Sequence, residues 1–172
     1  MGDPVMCNGA NLAFTREAYL DNAANLRFDI ATGDDVFLLH SMKKQKRRIK
    51  WLESIDSIVE TAASPDIKSF LRQRKRWASK STSYRDLFSI ILGIVTFVTN
   101  LVMAGTLVAS LAHTKYFYIF LIMFFVKSVP DYLVLQDTTK RYGRKNLMWW
   151  FLPCQLLYPF YVIIVAAFAL LA

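Results

Sequence analysis

Cysteine and histidine are scarce in this chain. Its 172 residues hold two of each, and both pairs are widely separated: Cys7 from Cys154, His40 from His113. That spacing supports neither a disulfide framework nor a thiolate or imidazole metal site. Cys7 has no histidine near it in sequence, which sets aside a thiol nucleophile. Unpaired thiols fit a reducing, cytosolic face. Also missing are a Gly-rich phosphate loop, an internal repeat, a low-complexity tract and any Asp-x-Asp triplet. The first residues, "MGDPVMCNGANLAF", lack a basic stretch followed by a long apolar one, so they are not a signal peptide. Acidic residues number 13 against 21 Lys and Arg, for a net charge of +8. The densest basic run contains no recognisable nucleic-acid module and runs straight into apolar sequence, so nucleic acid is not the expected partner. Anionic headgroups or an anionic substrate fit better.

What the chain has in quantity is apolar sequence. Hydrophobic residues make up 55% and aromatics 15%, where a soluble globule holds about 45–50% apolar residues. Fifteen of the 21 Lys and Arg precede residue 86, and two uncharged runs of 26 residues follow, 87–112 and 147–172. A helix of that length reaches about 39 Å, more than the roughly 30 Å of hydrocarbon in a bilayer. Trp149, Trp150, Tyr158 and Tyr161 are aromatics of the kind found near headgroups. Pro153 and Pro159 predict a kink or a delayed start for the second run. Between the two lies 116–136, apolar at first and then carrying Lys127, Pro130 and Asp131. Lys127 and Asp131 are four apart, so a helix lets them pair and face the bundle interior or a polar path; a re-entrant hairpin is the alternative. With basic loops placed on the cytoplasmic side, three spans (87–112, 116–136, 147–172) put residues 1–85 and the second loop in the cytoplasm. The C-terminus then falls on the far side, and the bacterial inner membrane is the expected compartment.

Residues 1–85 read as mixed α/β. "VMCNGANLAF" predicts two extended pieces around an Asn-Gly turn, and Thr15 an N-cap for the helix after it. Gly33-Asp34-Asp35 predicts a turn into a helix whose N-terminus favours the acids; either acid could also serve as a general base. "RIKWLE" and "SIVETAA" alternate like short strands. Ser64-Pro65-Asp66 predicts a helix start, giving an interfacial helix over 65–80. On it Gln73, Arg76 and Trp77 share one face. An amide, a guanidinium and an indole on one stripe can hold a phosphate and meet a sugar ring. A lipid-surface anchor is the competing reading of the same helix.

In their order, "CNGANLAFTREAY", "GDDVFLL", "QRKRW" and the apolar tail resemble the C-terminal part of membrane-anchored, processive-type family-2 glycosyltransferases, inverting enzymes of the GT-A fold. The Gln-x-x-Arg-Trp motif is complete at Gln73, Arg76 and Trp77; the acidic motif keeps its last residue, Asp35, and departs before it. The resemblance implies an α/β fragment, the acceptor-side half of a GT-A-like domain, followed by three membrane-spanning helices. It implies that Asp35 is the catalytic base and that Gln73 and Arg76 bind the donor diphosphate. Trp77, Asn8, Gly9, Asn11 and Asp34 would form the acceptor site. The partners implied are a nucleotide-sugar donor, a lipid-linked or polysaccharide acceptor and membrane lipids. The family's divalent metal, Mg or Mn, sits on an Asp-x-Asp motif in a nucleotide-binding half, and those ligands are not in this chain. A fragment lacking them is expected to transfer little or no sugar alone. The competing expectation is a non-enzymatic integral membrane protein whose basic segment binds lipid or a partner.

Overall fold

Thr15 acts as its type and position predict. Its Oγ1 accepts the Ala18 N–H at 3.2 Å and starts α1 (Arg16–Leu20). The computed structural model describes residues 4–26, 33–52, 54–81 and 83–170. After α1 come α2 (Asp34–Lys44), α3 (Ile67–Ser81), α4 (Leu87–Ala109), α5 (Thr114–Arg141) and α6 (Phe151–Leu170), with short 3-10 turns between some of them.

No strand forms among the described residues, which corrects the expected α/β half. Alternation makes a strand only where a neighbour takes its backbone N–H and C=O groups. Residues 48–52 of "RIKWLE" and residues 58–63 of "SIVETAA" join no strand ladder among the described residues; Glu53 lies outside the described residues. Trp51 and Leu52 remain 69% and 68% exposed. Ser54 instead caps a 3-10 turn at Ile55–Ser57. The Asn-Gly turn is present as another 3-10 turn, Gly9–Asn11, with extended backbone at Asn8 and Leu12 but no paired strands.

The chain falls into two compact units. The first comprises the described residues of 1–92 and 168–172. Its centre is α2, in which four consecutive residues, Val36 to Leu39, are buried together with Leu26. A helix covered on all sides needs no amphipathic stripe. Asn22 is fully buried beside them. Its Nδ2 donates to Ala18 O at 2.7 Å, and its Oδ1 accepts from Ser41 Oγ at 2.6 Å and Gln45 Nε2 at 2.9 Å. Lys43 pairs with Asp86 at 2.7 Å. Asp86 caps α4 by accepting the Ser89 N–H at 2.9 Å and the Ser89 hydroxyl at 2.7 Å.

The second unit is residues 93–167. Met103 packs with Phe120 and Phe124 in its core. α5 is one continuous helix with Pro130 inside it, so the re-entrant hairpin is not formed. Lys127 donates to Asp131 at 2.5 Å, Gln155 Nε2 donates to the same oxygen at 2.7 Å, and the Lys127 ammonium lies 4.9 Å from the Tyr158 ring centre. The pair expected from the i, i+4 spacing is thus made, and α6 adds two further contacts to it. A 3-10 stretch, Lys145–Trp150, precedes α6. Pro153 then sits in the first turn, where an N–H has no helical partner in any case, and Pro159 lies inside the helix. Three stretches, Leu87–Ala109, Thr114–Arg141 and Lys145–Ala169, are long and apolar enough to cross a membrane.

Candidate functional site

The Gly33 backbone has φ 109°, a left-handed value that glycine adopts without steric cost. This starts α2 with Asp34 and Asp35 in its first turn, where the helix dipole favours negative charge. Asp35 Oδ1 accepts the Val36 N–H at 2.8 Å and Oδ2 accepts the Gly9 N–H at 3.0 Å. The Cys7 thiol donates to the Asp35 carbonyl at 3.1 Å. Two contacts therefore strap the Cys7–Gly9 segment onto the start of α2. Asn8 shapes that segment through its side chain, which accepts the Ala10 N–H at 3.0 Å. Asn11 reaches the other way, donating to Ser57 O at 2.5 Å.

A cavity of about 250 Å³ opens beside these groups. Gly9, Asp34 and Asp35 form its polar side, while Leu12, Leu26 and Leu38 line its apolar side. Phe14 and Tyr19 complete the wall and stack with ring centres 5.5 Å apart and planes 14° from parallel. The Asp35 carboxylate, with the Gly9 and Val36 N–H groups among its partners, lies at this cavity. A ligand bearing a hydroxyl and a flat apolar face fits this combination of carboxylate and aromatic wall. Phe14 and Tyr19 carry no periodic signal in sequence, because Thr15 interrupts the chain between them to start α1.

Tyr84 is a second group that sequence spacing did not reveal. Its ring meets Phe37 edge-on at 6.1 Å and His40 at 5.2 Å. Burial, then the nearby charges of Asp35 and Cys7, push its hydroxyl above the ordinary tyrosine range. His40 Nε2 lies 3.1 Å from Val5 O and 3.3 Å from Ser89 Oγ. A side-chain chain thus runs from the cap of α4 through His40 and Tyr84 toward Asp35.

The helix carrying the other motif stands apart from this cavity. α3 starts one residue after Asp66, whose carboxylate accepts the Ser69 N–H at 2.7 Å and the Ser69 hydroxyl at 3.0 Å. The helix start expected at Ser64-Pro65-Asp66 is thus capped by Asp66, the residue just before Ile67. The Ser69 hydrogen bonds hold the Asp66 carboxyl below the ordinary range. On α3 the Arg74 guanidinium lies between two rings, 4.7 Å from the Phe70 centre and 4.5 Å from the Trp77 centre. Gln73 is half-buried, and Arg76 and Trp77 are exposed. None of Gln73, Arg76 and Trp77 lines the cavity that holds Asp34 and Asp35. The structure brings together Asp35, Asp34 and Gly9, with Asn8 and Asn11 at their edge, and leaves the Gln-x-x-Arg-Trp group outside.

Among the described residues no three Cys, His, Asp or Glu side chains gather as a metal site. Asp34 and Asp35 are adjacent, and both Asp35 oxygens already accept backbone N–H groups. These residues do not fit the divalent metal implied by the resemblance. A family model described as "Glycosyl transferase family group 2" matches residues 1–170. No curated protein and no solved structure matches the chain.

Proposed function

This chain belongs to glycosyl transferase family group 2, and from that premise we propose that it serves the acceptor side of an inverting sugar transfer at a membrane. The acceptor hydroxyl oxygen attacks the anomeric carbon of the donor sugar while its proton passes to Asp35. The bond from that carbon to the nucleoside diphosphate breaks, and the diphosphate leaves as an anion, met by Gln73 and Arg76. Trp77, Asn8, Gly9, Asn11 and Asp34 contact the acceptor. Because Gln73, Arg76 and Trp77 stand outside the cavity of Asp35, this assignment requires α3 to approach it when substrate binds. The three apolar helices cross the bilayer, with residues 1–85 cytoplasmic and the C-terminus opposite, and they hold the site against a lipid-linked or polysaccharide acceptor. The observation that carries the proposal is the Asp35 carboxylate at a cavity with a stacked aromatic wall. The donor's metal ligands are supplied from elsewhere, so the chain alone transfers little sugar.

Membranes holding the full chain, given labelled nucleotide sugars and magnesium or manganese, test this. Transfer should depend on an added nucleotide-binding half, and Asp35→Asn should then lower it by about 10²–10⁴-fold. Undiminished transfer by Asp35→Asn would remove the base. A second reading, a non-enzymatic membrane protein with a basic lipid- or partner-binding helix, draws support from the Arg74 stack, which occupies one side of the Trp77 indole. On that reading Asp35→Asn changes nothing, and loss of the α3 cations releases the segment from anionic vesicles.

A further inference from the structure

The α5 C-terminus meets the 3-10 stretch before α6 in a corner that encloses about 530 Å³. Its lining includes the apolar Leu133 and Met148 and the polar Gln136, Asp137, Lys140 and Lys145. The corner is closed by backbone bonds. Gly143, at φ 65°, donates to Lys140 O at 3.2 Å, Arg144 N–H donates to Thr139 O at 2.8 Å, and Tyr142 N–H donates to Thr138 O at 3.0 Å. These contacts form the paired closure of a helix end. They also occupy the carbonyls that would otherwise repel an anion there. Asp137 is engaged by Arg141 at 2.7 Å, so its charge does not cancel the lysines. Lys140 and Lys145 are exposed, and no ion pair engages either one among the described residues. Trp149 and Trp150, both exposed beside the corner, are residues that favour the headgroup level.

We propose that this corner binds the phosphodiester of an anionic phospholipid between Lys140 and Lys145, with Leu133 and Met148 against its acyl chains. The inference rests on the reading that α5 and α6 cross a bilayer. It is distinct from the acceptor site, which lies in the other unit.

The full chain is reconstituted in phosphatidylcholine nanodiscs doped with phosphatidylglycerol, and retained lipid is counted by native mass spectrometry. Phosphatidylglycerol should be retained over phosphatidylcholine, and Lys140→Gln/Lys145→Gln should weaken that retention about tenfold. Lys44→Gln/Lys50→Gln, which removes equal charge elsewhere, should leave it unchanged. Equal loss in both double variants, or no loss in either, overturns the site. Displacement of the lipid by millimolar inorganic phosphate overturns a lipid-specific reading in favour of a soluble anion. Failure of the chain to enter nanodiscs at all overturns the membrane reading and this proposal with it; entry without lipid preference overturns the proposal alone.

Discussion

Asn22 is a polar residue with no access to water, and it joins α1 to α2. Both ends of its amide are used, by Ala18 O on one side and by Ser41 and Gln45 on the other. Asn22→Ala should therefore cost about 1–3 kcal/mol, read as a lower unfolding temperature of the detergent-solubilised chain. Asn22→Asp should cost more, because Asp cannot donate to Ala18 O. Other single residues are legible in the sequence, each for a local reason: Thr15 by its position before a helix, and Gly33 by the two acids after it. Arg74 is not. Phe70, Arg74 and Trp77 are four and three residues apart, the spacing at which helix neighbours meet, but the amide and guanidinium of Gln73 and Arg76 drew the same indole into a different grouping. A cation near two rings is not a local property of sequence unless each ring's other neighbours are known.

At the scale of elements, α2 is fixed at both ends. Its C-terminus closes with Lys46 N–H donating to Lys43 O at 2.9 Å and Arg47 N–H to Met42 O at 3.0 Å. Lys46 sits at φ 53°, the only non-glycine residue of positive φ among those described. Lys46→Gly should therefore stabilise the chain by about 0.5–1 kcal/mol in chemical unfolding. Between α2 and α4 the tie is the pair of Lys43 with Asp86. Partial burial opposes the Asp86 charge, but the hydrogen bonds from Lys43 and Ser89 outweigh it and lower its pKa from 3.8 to about 2. Below pH 3.8 the unfolded chain takes up a proton that the folded chain resists. The stabilisation, at most about 2 kcal/mol, is present above that pH and falls away toward pH 2. Asp86→Asn should flatten this part of the stability profile in acid titrations followed by circular dichroism. The strands expected in 48–53 and 57–63 failed at this same scale. Alternation is local, whereas a strand's hydrogen bonds are made by a distant partner that the sequence does not name.

Taken as a whole, the molecule divides into a basic part legible by its motifs and an apolar part legible by its lengths. Most large apolar side chains of α4, α5 and α6 face outward, as helices meant for lipid contact do. The Lys127–Asp131 spacing was readable, but the contributions of Gln155 and Tyr158 were not, since they come from a helix more than twenty residues later. Asp131→Leu should destabilise the bundle by about 2.5–3.5 kcal/mol by leaving Lys127 without its carboxylate. Lys127→Met/Asp131→Leu should recover most of that loss in a double-mutant cycle. This arrangement also bears on biosynthesis. The hairpin at Gly143 brings α6 up against α5 after only a short connection, so Gln155 can reach Asp131, and Tyr158 can reach Lys127, across a short loop. On the reading that both helices cross a bilayer, they would enter it as one pair, with the ammonium already facing its carboxylate.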